Sequence, residues 1–502
     1  MHCNTIQKQY QAAMHTCTVR LASLLYPGGL QIGMPPLSSL RRRRHSVFSS
    51  LAVAVLSSQA SAVPQVVDGH FDDWPKAEET ETRIQVDGTR VWIDLHHQRA
   101  TPVNLQHLDA PLELVFKVEG QTLFESTLTF SPVERGMGVA LATRDQDGQV
   151  INESPYELDV VFAPTTASNR FELLIDFSSL VTKPARCKLV GLADEALLFE
   201  MVPREKDEPE RTPVVSIPRC PADAIRLMSW NVRFGGLLEQ KERAGRILKA
   251  LQPDIILLQE LVDEQTAVAV ASFLDETLGT RGGAWQVGAS PAGSRLRSMV
   301  AARGMAPPEM VNMIRMQTDA SRFVRAVAVK IDLGNERKLL ACSIHLRCCG
   351  SAGGKEDLQR VEEASVIQRS LEQLLEEWGC QDIVIGGDLN LVGSRLPLQV
   401  LATGLDPSGA DLKIAHPLQL DGDSLATWAD PSGNAASAFT PGRLDWLLFS
   451  GSSLESVQAF ILDTSDLSTQ ALDEHRLEAE DTPLLSDHFP VILDARTRQE
   501  EP

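Results

Sequence analysis

The hydrophobic pattern of this chain changes period near residue 220, and no single fold satisfies both halves. Between Val63 and about Pro203 the apolar residues alternate with polar ones in short runs such as "RVWIDLHH", "LELVFKVEG", "YELDVVFA" and "RFELLIDF". Alternation of that kind, punctuated by Gly, Pro and polar clusters, belongs to half-buried strands and predicts an antiparallel β-sandwich. From Ala224 onward the strands become continuous apolar runs, "AIRLMSWNV", "PDIILLQEL", "RKLLACSIHL" and "DIVIGGDLN", separated by helical segments. Fully apolar strands need cover on both faces, which helices and a second sheet supply. The expected domains are therefore a sandwich at 63–202, a Pro-rich and charged linker at 203–222, and an α/β domain at 223–497.

Within the second half, one helix is expected from Glu356 to Trp378. Leu358, Val361, Ala364, Ile367, Leu371 and Leu374 recur at three and four and predict a single buried stripe, with Gly379 as the stop. The polar stretch Ser465–Asp481 reads as a loop near the site, and its His475 as solvent-exposed.

Residues 1–62 contain no Asp or Glu and carry the block Arg41–Arg44 followed by a short apolar region ending in Ala60-Ser61-Ala62. A basic segment, a short apolar core and a small-x-small end make up a secretory signal. The segment reads as an over-extended N-terminus plus signal peptide, with Met34 as the natural start, so the chain is expected to be secreted or periplasmic. Without those residues about 41 bases remain against 67 acids, a net charge near −26. Bulk charge of that sign argues against a duplex-DNA binder, which gains affinity by neutralising phosphates. No apolar run of the mature chain is long enough to span a membrane. Six cysteines survive (Cys187, Cys220, Cys342, Cys348, Cys349 and Cys380), an even number without metal-site spacing.

The ends of the α/β strands carry the chemistry. "SWN" delivers Asn231, "LLQE" Glu260, "SIHL" His345, "IGGDLN" Asp388 and Asn390, "GRLDW" Asp445, and "LLSDHFP" Asp487 and His488. A polar group at the end of an apolar strand is usually a satisfied core or edge residue. Eight of them in one domain point instead to one shared site. Glu260, Asp388, Asp487 and Asn231 offer hard oxygen donors suited to Mg²⁺ or Mn²⁺. Two histidines able to pair with carboxylates add groups that titrate near neutrality. No Gly-rich nucleotide cradle and no nucleophile elbow is present. The remaining chemistry is metal-assisted attack of water on phosphorus.

In order and spacing, "QE", "GDLN", "RLDW" and "SDHFP" resemble the endonuclease/exonuclease/phosphatase superfamily, the group of pancreatic-type deoxyribonuclease. The resemblance covers about Ala224–Ala495 and implies a four-layer α/β/β/α sandwich with its site at one end of two packed sheets. It implies Glu260 as main metal ligand with Asn231 and Asp487 beside it, and Asp388 and Asn390 on the attacking water or the phosphate. It also implies His488 on the scissile phosphate, oriented by Asp445, and His345 as candidate acid on the leaving-group side. Arg325 and Arg347 are candidate substrate-binding residues, and Arg303 shares their charge and region. The acidic "LVDEQ" after Glu260 and the "NVRFGG" after the first motif depart from the pattern of abasic-site enzymes.

The expected function is an exported Mg²⁺-dependent phosphoesterase, a phosphodiesterase first. Nucleic acid, phospholipid head group and small phosphate all stay open as substrates. The alternatives are a phosphomonoesterase, or a glycan- or surface-binding protein carrying this domain. The second alternative rests on "VVDGHFDDWP" (Val66–Pro75), which resembles the entry strand of family 9-like carbohydrate-binding sandwiches and implies a glycan or cell-surface partner. The same residues fit a Trp anchored in the core beside a polar turn, and the sequence leaves both readings standing.

Overall fold

The computed structural model describes residues 53–57, 66–74, 82–96, 101–105, 112–119, 123–133, 136–152, 154–192, 196–204, 214–293, 295–303, 323–422, 424–430 and 439–498. Met34, the Arg41–Arg44 block, the Ala60–Ala62 end and residues 205–213 of the linker lie outside them.

The alternating half folds as two facing sheets. One has five strands in the order Val53–Ser57, Thr82–Asp87, Arg90–His96, Arg170–Asp176 and Val161–Ala163. The other has six, in the order Leu197–Met201, Ala185–Val190, Leu112–Glu119, Phe124–Val133, Gly136–Asp145 and Val150–Asn152. All pairings are antiparallel except that of Val53–Ser57 with Thr82–Asp87, which is parallel. Val53–Ser57 falls inside the expected signal segment, so cleavage after Ala62 would remove this edge strand. The inward residues, among them Ile84, Ile93, Leu114, Phe116, Phe130 and Phe171, form one core between the sheets.

Trp74 of the "FDDWP" turn is buried, and its indole donates to Glu172 at 2.7 Å. Glu172 also accepts the backbone N–H groups of Asp68 and Gly69. Trp74 is thus an anchor that staples the turn to the sheet, and it offers no exposed ring on which a sugar could stack.

The second half forms the four layers. A seven-stranded sheet runs Trp285–Ala289, Leu296–Arg303, Ile255–Val262, Ile225–Asn231, Val491–Thr497, Leu454–Ile461 and Leu418–Gln419. A five-stranded sheet runs Ala326–Gly334, Arg337–His345, Asp382–Asp388, Asp445–Phe449 and Lys413–Ile414. Leu257, Val300, Val327, Val384, Leu447 and Leu493 pack between them. Helices Lys241–Leu251 and Ala267–Leu278 cover the outer face of the larger sheet, and Lys355–Trp378 and Leu396–Ala402 that of the smaller. Among the described residues no helix is long and apolar enough to cross a membrane.

Two expectations are corrected. In helix Lys355–Trp378, Leu358 is 62% exposed while Asp357 and Arg360 are buried. The first turn faces loops rather than a sheet. Asp357 accepts the N–H groups of Gly353 and Ser394, and Arg360 donates to the carbonyls of Arg347 and Cys349. Backbone groups buried under a helix need partners, so polar residues take the inner face there. Ser465–Asp481 is not a loop. It contains helix Thr469–His475 and leads into Asp481–Leu485. Asp481 is fully buried and paired with Arg246, while His475 is half-buried and accepts the N–H of Ile217.

The described end of the linker is packed, since Val214 and Ile217 are buried in the core beneath the larger sheet. The two halves also meet directly. Asn104 of the sandwich donates to the carbonyls of Val392 and Gly393 and accepts the N–H of Ala352. Thr165 donates to the carbonyl of Leu391. The sandwich therefore braces the loop that follows Asp388 and Asn390. Asn104→Ala strips buried backbone groups of their partners and should lower stability by about 1–3 kcal/mol, read from the urea unfolding midpoint.

Candidate active site

Strand register brings the polar residues into one row. In the smaller sheet His345 lies opposite Asp388, and Asp388 opposite Asp445. In the larger sheet Asn231 lies opposite Gln259, the neighbour of Glu260. Asp487 and His488 enter just before strand Val491–Thr497, which pairs with the strand that ends at Asn231. All of these groups reach the same end of the two sheets.

Local backbone geometry aims them. The pairing of strand Ile255–Val262 with its neighbour shifts register between Leu258 and Leu261, and Glu260 sits in that bulge at φ 62°. A bulge re-aims one side chain without ending the strand, and a non-glycine residue at positive φ is held there only by its surroundings. Glu260 accepts the N–H of Phe234 at 3.2 Å. Asn390, at φ 48°, turns back on Asp388, so that its backbone N–H reaches one carboxylate oxygen at 2.9 Å and its amide the other at 3.0 Å. Asn231 crosses from the other sheet and donates to the same oxygen at 3.1 Å.

His488 and Asp445 form a buried pair with Nδ1 2.7 Å from the carboxylate. The other nitrogen of His488, Nε2, lies 3.7 Å from Asp388. His345 Nε2 stands 3.6 Å from Asp388 and 3.7 Å from Glu260. Two hydroxyls that the sequence did not single out complete the site. Thr427 donates to Asp445 and accepts the N–H groups of Leu444 and Asp445. Ser486 donates to the carbonyl of Asn231 and accepts the N–H of His488. Neither carries a signal in sequence, because each is one hydroxyl in a short connection.

Arg325 and Arg347 lie beside His345 in the fold and the chain. Arg325 is half-buried, and its charge acts on His345. Arg347 is exposed, and among the described residues its guanidinium makes no ion pair. Arg303 lies elsewhere, donating to the carbonyl of Leu278 and stacked over Trp285. Beyond His345, Cys349 donates to Cys348 with the sulfurs 3.0 Å apart, and among the described residues the six cysteines are free.

Electrostatics separates the two histidines. Burial works against a charged His488, but Asp445 and Asp388 outweigh it and push its pKa up to about 10. His345 goes the other way: burial, then Arg325 and His488, hold it well below the usual imidazole range. The surroundings thus favour the charged form of His488 and the neutral form of His345. Asp388 is raised to about 7 by burial, with Asp445 and Glu260 adding and His488 opposing. Glu260 is raised as well, by burial and the charge of Asp487.

These carboxylates test whether a metal fits. Glu260, Asp388, Asp445 and Asp487 gather at one end with His488 as the charged base among them, and a hard divalent cation is the partner that relieves such crowding. Asp388, Asp445 and His488 place ligand atoms within 4.8 Å of one another, a grouping able to hold an ion. His488 and Asp445 already satisfy each other, however. Glu260 and Asp487 keep 16% and 24% of their side chains open to solvent, with Asn231 beside Glu260. The oxygen donors of that second group are the freer ones.

The Endonuclease/Exonuclease/phosphatase family matches residues 228–488, from the first strand of the α/β domain to His488 itself. The chain belongs to this family. No curated protein matches the sequence. Among solved structures, a truncated TDP2 from Caenorhabditis elegans is 20% identical over 54% of this chain and 98% of its own, with a TM-score of 0.35. The human Nocturnin catalytic domain with bound sulfate anion is 18% identical over 55% and 94%, with a TM-score of 0.36. A 3'-5' exonuclease (NExo) from Neisseria meningitidis is 16% identical over 55% and 100%, also at 0.36. Family membership places the row of residues above in an endonuclease/exonuclease/phosphatase domain, and the sandwich before it remains without a family.

Proposed function

We propose that this chain is an exported, metal-dependent phosphoesterase that hydrolyses a phosphodiester by attack of water. The observation that carries the reading is the convergence of a buried His488–Asp445 pair and Asp388 on the group Glu260, Asn231 and Asp487. Glu260, Asp487 and the amide oxygen of Asn231 would hold Mg²⁺ or Mn²⁺. Such an ion supplies Lewis-acid polarisation of a phosphoryl oxygen when bound.

The protein's own groups do the rest. Asp388, poised near neutrality and held by the amides of Asn231 and Asn390, accepts a proton from the attacking water. His488, kept charged by Asp445, faces the negative charge that grows on the phosphoryl oxygens. Both lie in a buried site, where such charge is worth more than in water. His345 packs beside them and limits how the substrate approaches Glu260 and Asp388.

The test is hydrolysis by the full chain with Mg²⁺ or with EDTA. The substrates are plasmid DNA, RNA, sphingomyelin, inositol phosphates, a generic diester and its monoester. Turnover on at least one diester is expected, abolished by EDTA and reduced at least about 10²-fold in Asp388→Asn. Turnover confined to the monoester would replace the diester reading, and turnover that survives EDTA would remove the metal. Export rests on the N-terminal segment, and the N-terminal sequence of the protein recovered outside the cytoplasm checks it.

A further inference from the structure

Where the sandwich meets the α/β domain the seam encloses a cavity of about 130 Å³. That is roughly ten times the space one water requires, enough for a polyatomic ligand. Asp68 and His70 line it from the sandwich, and Arg395, Arg443 and Trp446 from the α/β domain. None of the active-site residues lines it.

Arg443 is the anomaly. It is only 8% exposed, and its guanidinium carbon lies over the Trp446 ring, 3.7 Å from the centroid. Among the described residues its side chain makes one hydrogen bond, from Nη2 to the carbonyl of Ala415 at 2.7 Å, and the buried Nε has no partner. The indole N–H of Trp446 is likewise buried and unpartnered. Among the described residues no carboxylate pairs with Arg443. The nearby Asp445 is engaged by His488 and Thr427. Asp68 accepts the N–H of His70.

Arg395 adds positive charge. Arg395 lines the same cavity, and His70 meets His416 edge-on at 4.9 Å. Burial and then the charge of Arg395 bring the pKa of Arg443 down to about 9. Burial, then Arg443, His70 and Arg395, press that of His416 down to about 4. Asp68 and Asp445 act on Arg443 with opposite charge but make no ion pair with it among the described residues, so an anion in the cavity would complete its charge-assisted hydrogen bonds. Asp68, the acid in the wall, is raised by burial, while the N–H of His70 and the charge of Arg443 oppose that rise.

We propose that this seam is a binding site for a small tetrahedral oxyanion, phosphate or sulfate, received by Arg443 and Arg395. Guanidinium groups suit such an ion, and charge-assisted bonds to it are the strong kind. The anion would join the sandwich to the strand carrying Asp445. The inference stands whether or not the domain proves to be a phosphodiesterase.

Isothermal titration calorimetry tests it on the full chain, in EDTA at constant ionic strength. Inorganic phosphate and sulfate are titrated separately. Saturable binding at about one ion per chain is expected for at least one of them; saturation by phosphate alone narrows the site to that ion. Arg395 is exposed and outside the catalytic row, so Arg395→Gln should fold normally. It should weaken binding about tenfold, the value of one charge-assisted hydrogen bond. Arg443→Lys, which keeps the charge and loses the fork, should weaken it at least as much. If that variant fails to fold, Arg395→Gln decides. His488→Ala should leave the affinity within about twofold, since a phosphate held at the catalytic row would be lost there. Absence of saturation with both ions overturns the proposal, as does binding that survives Arg395→Gln but disappears in His488→Ala.

Discussion

His488→Ala should lower kcat by about 10³-fold, the range of a positioned acid–base or electrostatic group, while the protein stays folded. His488 lies between Asp445 at 2.7 Å and Asp388 at 3.7 Å, and both carboxylates hold it charged. Removing it takes away the cation between Asp388 and Asp445 and leaves Asp445 with Thr427 as its side-chain partner. The lost contact with Asp445 is offset in part by the end of an unfavourable desolvation. The melting temperature should therefore move by only a few degrees. His488→Gln separates charge from packing, because an amide can still meet Asp445 but cannot carry a proton. If the glutamine variant regains most of the rate, His488 acts by position and not by charge. If the alanine variant unfolds, the imidazole is a structural residue and the catalytic reading fails with it.

The row of catalytic candidates was legible because each member interrupts an apolar strand, and an interruption of that kind is visible one residue at a time. Asp388 and His345 stand out for this reason, and parallel pairing makes them neighbours. What closes the site was not legible. Thr427 and Ser486 contribute single hydroxyls from short connections, and only the folded chain shows what they touch. The stripe of helix Lys355–Trp378 was right from Ala364 onward, where the helix covers the sheet. It failed at Leu358, because the first turn covers loops whose backbone groups call for Asp357 and Arg360. Ser465–Asp481 looked like a loop since its helices are too short to show a period. Its anchor, Asp481, pairs with Arg246 more than 200 residues earlier. The docking of Asn104 on Gly393 is of the same kind, a contact between distant segments that no local pattern announces.

Gly387→Ala should unfold the domain more severely than any change in the catalytic row. Gly387 sits at φ +150°, where an L side chain is strained. A Cβ there would stand 1.9 Å from the carbonyl oxygen of Ile344, a backbone atom of the neighbouring strand. That oxygen cannot retreat without breaking the ladder that aligns His345 with Asp388. Strain and overpacking together set the loss at roughly 3–5 kcal/mol, measurable as a shift of the urea midpoint. Gly386 is the instructive comparison. Its added Cβ meets the tips of Leu257 and Leu447 at 2.5 and 2.6 Å, and these can turn aside. Gly386→Ala should therefore cost only about 1–3 kcal/mol. Gly386 leaves the facing sheet room to approach, and Asn231 of that sheet reaches the Asp388 carboxylate at 3.1 Å. A Gly386→Ala variant that stays folded should thus lose activity through that distance, whereas equal stability losses at the two positions would show that the backbone contact at Gly387 is not the limiting one.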